Sequence, residues 1–415
     1  MSAYVRLDLD FVRSQFPAFS HPRTRDWAFL ENAGGSYMPR TVIDRLRRFL
    51  VETRVQPYGP YEISADAGDE IDRAHVCMAE MINAQDDEVT IGASTTLNVY
   101  VLAHAIRPWF EAGDEIILTN QDHEANGGAW RRLAETGMTV REWRIDPVSG
   151  ELDPAALAPL LNARTRLVCF PHCSNIVGTI NDAAAITRLA HDAGALVMID
   201  GVSCAPHQCI DVKALDADFY GFSLYKAYGP HLGVLYTKRA HLERLAHQSH
   251  EQIADDLRQR LDPAGVLHEQ VACLSGITEY YDAVDAHHFT EVEPSRHVRV
   301  ARVFNLFASH EEQLSALLLD YLRAVPSVRI IGNLDGARAH RAPTISFTVA
   351  DRPSREIASA LAAHKVAVRA GNFYAWRCLQ ALGIDTEDGV VRASMVHYNT
   401  VADVDRLITS LKAVL

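Results

Sequence analysis

The sequence predicts an α/β protein: a large domain built on a mostly parallel sheet flanked by helices, then a smaller C-terminal α/β domain. Two observations carry that reading. Between residues 88 and 236, short apolar runs of strand length alternate with helical stretches. Beyond 236 the alternation stops, and a second, shorter set of helices and strands closes the chain. With 415 residues, 48% of them hydrophobic and 22% charged, the chain has the composition of a soluble globular enzyme and the length for two or three domains. The expected divisions are an arm at 1–28, a large domain at 29–285 and a small domain at 286–415, with the N-terminal segment packing on the small domain.

The arm is polar and irregular. FLENAGGS (29–36) ends a short strand in Gly34 and Gly35, a pair that lets the backbone approach a ligand closely or simply turns the chain. Helices are expected at 39–52 and 69–83, the second with Ile71, Ala74, Met78, Met81 and Ile82 as its core-facing stripe. VTIGAS (89–94), DEIILTN (114–120), TVREWRI (139–145), RLVCFPH (166–172) and ALVMID (195–200) read as strands. Helices follow Ser94, begin near Glu124 and cover 181–193. Two more apolar runs, 219–224 and 232–236, flank a turn at Tyr228, Gly229 and Pro230. Residues 241–261 read as a helix, and 290–324 as one or two helices ending at Pro326. The small domain then has strands at 328–332, 344–349 and 390–395, with helices at 354–364, 373–382 and 402–414.

Composition narrows the function. Forty basic against 53 acidic residues give a net charge of −13 with no basic block, which speaks against nucleic-acid binding. No signal peptide opens the chain and no apolar run is long enough to span a membrane. The seven cysteines are odd in number and mostly lie in apolar patterns, as reduced core thiols of a cytoplasmic protein do. Cys169/Cys173 and Cys204/Cys209 lack zinc-site spacing, so no metal is expected.

Two residues point to chemistry. DFYGFSLYKAYGPHLGVLY (218–236) delivers Lys226 into a turn at the exit of a buried strand. A buried ammonium is costly, but a desolvated lysine amine forms a Schiff base with an aldehyde. ALVMIDG (195–201) places Asp200 at the end of a parallel strand, where a carboxylate can pair with a pyridinium nitrogen. Pyridoxal phosphate enzymes need both groups. Parallel sheets bind ligands at the carboxyl ends of their strands, and the residues at those ends are Ser94, Thr95, Thr96, His123, Asn175, Asp200, Ser203, Ser223 and Lys226. Ser94-Thr95-Thr96 opens a helix whose free N–H groups suit a phosphate, or is a plain N-cap. His123 can lay its ring on a pyridine, and Asn175 can reach the phenolic oxygen or serve only as turn chemistry.

As a set, STT (94–96), DHEAN (122–126), SNIVGTIND (174–182), IDGVSCAPH (199–207), SLYKAYGPHLGVLY (223–236) and VRASMVHYNT (391–400) resemble the class V aminotransferase family. Within it they are most similar to a cysteine desulfurase-like, selenocysteine lyase-like subgroup. The resemblance runs from about Phe29 to Leu415. It implies the fold of type I pyridoxal phosphate enzymes, with a mostly parallel seven-stranded sheet, and a homodimer acting on a small amino acid. It also implies that Lys226 is the Schiff-base lysine, Asp200 the pyridinium partner and His123 the stacking ring. Asn175 and Ser203 would face the ring oxygen. Ser94, Thr95, Thr96, Ser223 and Tyr225 would hold the phosphate. Arg392 would take the substrate carboxylate, with Asn32 and Tyr374 beside the substrate.

This chain departs from the desulfurase pattern at four places. Ser203 stands where Gln is usual, and Tyr225 where His precedes the lysine. Near Glu269 the Gly-Thr that reaches a phosphate across the dimer gives way to Gln270-Val271-Ala272. RAGNFYAW (369–376) matches the loop of the persulfide-forming cysteine, yet Tyr374 occupies its place and Cys378 lies a turn further on. The expected activity is therefore a C–S (or C–Se) lyase without a persulfide-carrying cysteine. The alternatives are an aminotransferase or epimerase, a persulfide-forming desulfurase, and a non-catalytic binding protein on the same fold.

Overall fold

In the computed structural model, which describes residues 5–415, seven strands form the central sheet. Their spatial order is Val89–Gly92, Gly233–Thr237, Phe219–Ser223, Leu196–Asp200, Thr165–Pro171, Glu115–Thr119 and Thr139–Trp143. All pairings are parallel except those of Gly233–Thr237, which runs antiparallel to both neighbours. The strands read as continuous apolar runs because both faces are covered. Within Thr165–Pro171, Val168 and Phe170 enter the core on one face, while Leu167 and Cys169 enter the core on the other. The helices Thr95–Ile106 and Glu124–Arg132 pack on the second of these faces, contributing Val99, Leu102 and Trp130.

The C-terminal part holds an antiparallel sheet of four strands, ordered Arg369–Gly371, Val390–Ser394, Thr344–Val349 and Val328–Ile331. Its core recruits Ala28 and Leu30 from the N-terminal segment, whose strand Ala28–Phe29 pairs in parallel with Val366–Ala367. The helix Arg296–Arg323, 28 residues long, ties the two bodies together. Val300, Val303, Phe304 and Phe307 pack into the large core; Leu314, Leu318, Leu319 and Leu322 pack into the small one. At about 1.5 Å per residue it spans roughly 42 Å.

Three expectations are corrected. Residues 241–261 do not form one helix: Arg239–Leu242 is a single helical turn, followed by isolated turns at Glu251–Ile253 and Leu257–Gln259. The Arg260 guanidinium donates to the carbonyls of Glu243, Leu245 and Ala254, satisfying groups that a helix would have bonded internally. The arm contains the helix Leu9–Ser14, capped by the Asp8 carboxylate accepting from Phe11 N. The second long helix begins earlier than its apolar stripe, spanning Glu62–Met81, and Ser275–His288 forms a helix that the apolar periodicity alone did not single out. Among the described residues no helix is long and apolar enough to cross a membrane, and no group of three or more His, Cys, Asp or Glu could hold a metal ion.

Candidate active site

A cavity of about 440 Å³ opens where the parallel strands end. Of the residues expected at the strand ends and in the turn beyond, Ser94, Thr95, Thr96, His123, Asn175, Asp200, Ser203, Ser223, Tyr225 and Lys226 all line it, as does Tyr374. The backbone explains the convergence. Asp200 closes the strand Leu196–Asp200 beside Gly221 of the next strand, and Gly201 follows because a Cβ there would stand 2.1 Å from the Tyr220 ring. Lys226 lies three residues beyond the strand Phe219–Ser223, its N–H bonded to Ser223 O at 3.3 Å.

Burial sets the charges. Lys226 is only 6% exposed, and desolvation, with Arg392 adding repulsion, lowers its pKa from 10.5 to about 8, against the pull of Asp200. Asp200 Oδ1 accepts from Val202 N at 2.8 Å, and burial raises its pKa to about 6. His123 caps the helix Glu124–Arg132, its Nδ1 accepting from Ala125 N at 3.0 Å. Burial, with Lys226 and Arg392 nearby, pushes its pKa down to about 3, so the imidazole is neutral. One residue earlier, the buried Asp122 accepts from Thr119 and Asn126, and burial raises its pKa to about 7.

At the opposite end lies an anion cradle. The helix Thr95–Ile106 starts there, with Ser94 Oγ accepting from Leu97 N as its N-cap. Thr95 Oγ1 and Ser223 Oγ lie 2.7 Å apart. Gly233 presses on this terminus so closely that a Cβ would stand 2.2 Å from Thr95 N. Hydroxyls, free N–H groups and a helix N-terminus together suit a phosphate.

Arg392 and Asn32 are placed differently from the expectation. Arg392 is buried behind the cavity wall: Nη1 donates to Asn175 O at 3.1 Å, and its guanidinium carbon sits 3.7 Å from the Phe373 ring centre. Its Nε, like Asn175 Oδ1, is buried without a partner among the described residues. Asn32 does not reach the cavity. Its Nδ2 donates to Ser394 O and Asn399 Oδ1, and its Oδ1 accepts from Tyr398 OH, which leaves nothing to offer a substrate.

Tyr374 stands at the mouth, 71% exposed, its ring centre 5.5 Å from that of His123. Phe373 and Tyr374 both adopt left-handed φ, +50° and +58°, a conformation that costs free energy for non-glycine residues. The loop is held by Asn175 Nδ2 donating to Phe373 O and Glu124 N donating to Tyr374 O. Cys378 is fully buried, its thiol pushed up to about 12 by burial. The cysteine that does line the cavity is Cys173. Its Sγ donates to Gly178 O at 3.5 Å, and burial pushes its pKa up to about 12 as well. The sequence reading of the cysteines as mostly core thiols gave no sign of this. Val202, Tyr100, Glu124, Gly128 and His231 also line the cavity. Of these, Val202, Glu124 and His231 lie inside the quoted motifs, where spacing alone assigns them no task.

The residues present fit pyridoxal phosphate. The anion cradle, the neutral His123 face, the Asp200 carboxylate and the lysine of lowered pKa are the groups that a phosphorylated pyridine aldehyde requires. Comparison with known proteins agrees. The family model for aminotransferase class-V matches residues 28–253 and 301–407. The aminotransferase-like protein FGM3 of Gibberella zeae is 38% identical over 98% of this chain and 98% of its own length. A cysteine desulfurase of Serratia proteamaculans is 30% identical over 98% of both chains. The crystal structure of the cysteine desulfurase CsdA of Escherichia coli superposes with a TM-score of 0.82 at 26% identity, covering 98% of both chains.

Proposed function

The chain belongs to the class V aminotransferase family of pyridoxal phosphate enzymes, and from that premise we propose that it is a lyase cleaving the Cβ–S (or Cβ–Se) bond of a small amino acid without storing sulfur on the protein. The single observation behind this reading is the state of the thiols. The loop position at the cavity mouth is the phenol Tyr374, Cys378 is sealed in the core, and the Cys173 thiol is hydrogen-bonded inward. A thiol with a raised pKa in apolar surroundings is a poor nucleophile.

When bound, pyridoxal phosphate supplies an aldehyde that captures amines and a ring that draws electrons from the substrate Cα. In this reading Lys226 Nζ would hold the aldehyde and would be the base that moves the Cα proton. A pKa of about 8 keeps part of the amine neutral near physiological pH, as a general base needs. Asp200 would hold positive charge on the ring nitrogen. His123, being neutral, packs against the ring without repelling that charge. Ser94, Thr95, Thr96, Ser223 and Tyr225 would anchor the phosphate, and Ser203 and Asn175 would serve the ring-oxygen side. Arg392, with its unpartnered Nε, takes the α-carboxylate once Asn175 and Phe373 yield access, and Tyr374 covers the substrate. The balance for cysteine is simple. Lys226 takes the Cα proton, the Cβ–S bond breaks with its electron pair going to sulfur, and sulfide leaves. With one water taken up, the remainder leaves as pyruvate and ammonia.

The test is a screen of small amino acids with separate detection of sulfide or selenide, pyruvate, amine exchange and racemisation. Stoichiometric sulfide and pyruvate from a sulfur amino acid support the lyase. Clean amine exchange to a keto acid, with every sulfur substrate inert, replaces it with an aminotransferase.

A further inference from the structure

The phosphate end of the cavity has a charge deficit that one uncommitted side chain can fill. A phosphate ester carries about −1.5 to −2 charges near neutrality, whereas hydroxyls and a helix N-terminus supply only partial positive charge. Among the residues lining the cavity, the basic ones are His123, Lys226 and His231. His123 is held neutral, with Nδ1 accepting from Ala125 N. Lys226 is committed to the aldehyde. His231 remains.

Its position follows from the hairpin. Ser223 and Gly233 are paired across the antiparallel strands Phe219–Ser223 and Gly233–Thr237, and Leu224 N donates to Leu232 O at 2.9 Å. One step further into the loop, Tyr225 and His231 therefore face each other, their rings stacked 4.5 Å apart at 1°. The same loop is pinned to the phosphate cradle, because Gly233 packs against Ser94 and Thr95 with no room for a Cβ. The exposed imidazole thus lines the cavity two residues before the glycine that packs on the cradle. The Tyr225 ring beneath it can stabilise a cation on its face.

We propose that His231 is the cationic partner of the cofactor phosphate, pairing with it while stacked on Tyr225. The proposal rests on the pyridoxal phosphate reading of this cavity. It gives His231 the charge-compensating role that no other lining residue among the described ones is free to fill.

The experiment measures equilibrium binding of pyridoxal phosphate and of pyridoxal, which lacks the phosphate, to cofactor-free protein by absorbance. Wild type, His231→Gln and His231→Lys are compared, with ³¹P NMR of the bound phosphate as a second readout. Loss of a charge-assisted contact predicts that His231→Gln weakens pyridoxal phosphate about ten-fold or more, shifts the ³¹P resonance and leaves pyridoxal affinity unchanged. His231→Lys, which keeps a positive charge, should restore the phosphate preference. Equal weakening of both ligands, or no weakening, would overturn the assignment while leaving the cofactor reading intact. Failure of the wild type to bind either ligand would remove the cofactor reading and this proposal with it.

Discussion

Replacing Lys226 by methionine should make the cofactor-free protein more stable, although it removes the proposed Schiff-base lysine. In the folded chain the ammonium is desolvated in the cavity wall and its pKa falls from 10.5 to about 8. That displacement corresponds to about 3 kcal/mol of destabilisation whenever the amine is charged in both states. The sign is fixed by proton binding. Between pH 8 and 10.5 the unfolded chain holds a proton on this amine that the folded chain has lost, so stability rises with pH across that window. Below pH 8 the penalty is complete, and above 10.5 it has vanished. Lys226→Met should therefore exceed wild type by about 3 kcal/mol at pH 7, with the gap closing towards pH 10.5. Denaturant titration of both cofactor-free proteins across pH 7–10.5 measures it. A variant no more stable than wild type, or a gap independent of pH, would refute the claim that Lys226 carries a buried and unfavourable charge.

Other outcomes follow from the same site. Asp200→Asn should retain cofactor but lose turnover by two to three orders of magnitude, about 3–4 kcal/mol of activation free energy. Activity within a few-fold of wild type, at equal cofactor content, would count against the aspartate's role. Cys378→Ser and Cys173→Ala should each keep most of the activity per cofactor-loaded molecule. A stoichiometric persulfide on either cysteine, lost together with turnover in its variant, would restore the desulfurase reading. Sedimentation at micromolar concentration should give a homodimer, the commonest soluble oligomer, and a fully active monomer would contradict it.

The parts of this molecule that could be read from residue order were those fixed by local pattern. Strands buried on both faces announce themselves as apolar runs, so the ends carrying Asp200 and Ser223 could be located, and with them the turn that presents Lys226. Where long-range partners decide, pattern was silent or misleading. Asn32 sits in a glycine-flanked loop that suggests a ligand contact, yet Tyr398, Ser394 and Asn399, more than 360 residues away, use its whole amide. The 241–261 segment has helical periodicity, but Arg260 reaches back to three carbonyls and holds the chain in turns. Cys173 looks like any core thiol until the cavity beside it is seen. His231 acquires a task only when hairpin register stacks it on Tyr225. Arg392 was identified through its motif, but that it lies behind Asn175 and Phe373 is a fact of packing alone.

The most direct test of the central claim is borohydride reduction of the cofactor-loaded protein followed by peptide mass mapping. The account predicts a single reduced pyridoxyl phosphate adduct, on the peptide containing Lys226, and none in Lys226→Met. An adduct on Lys213 or Lys238 instead, or none in the wild type, would contradict it.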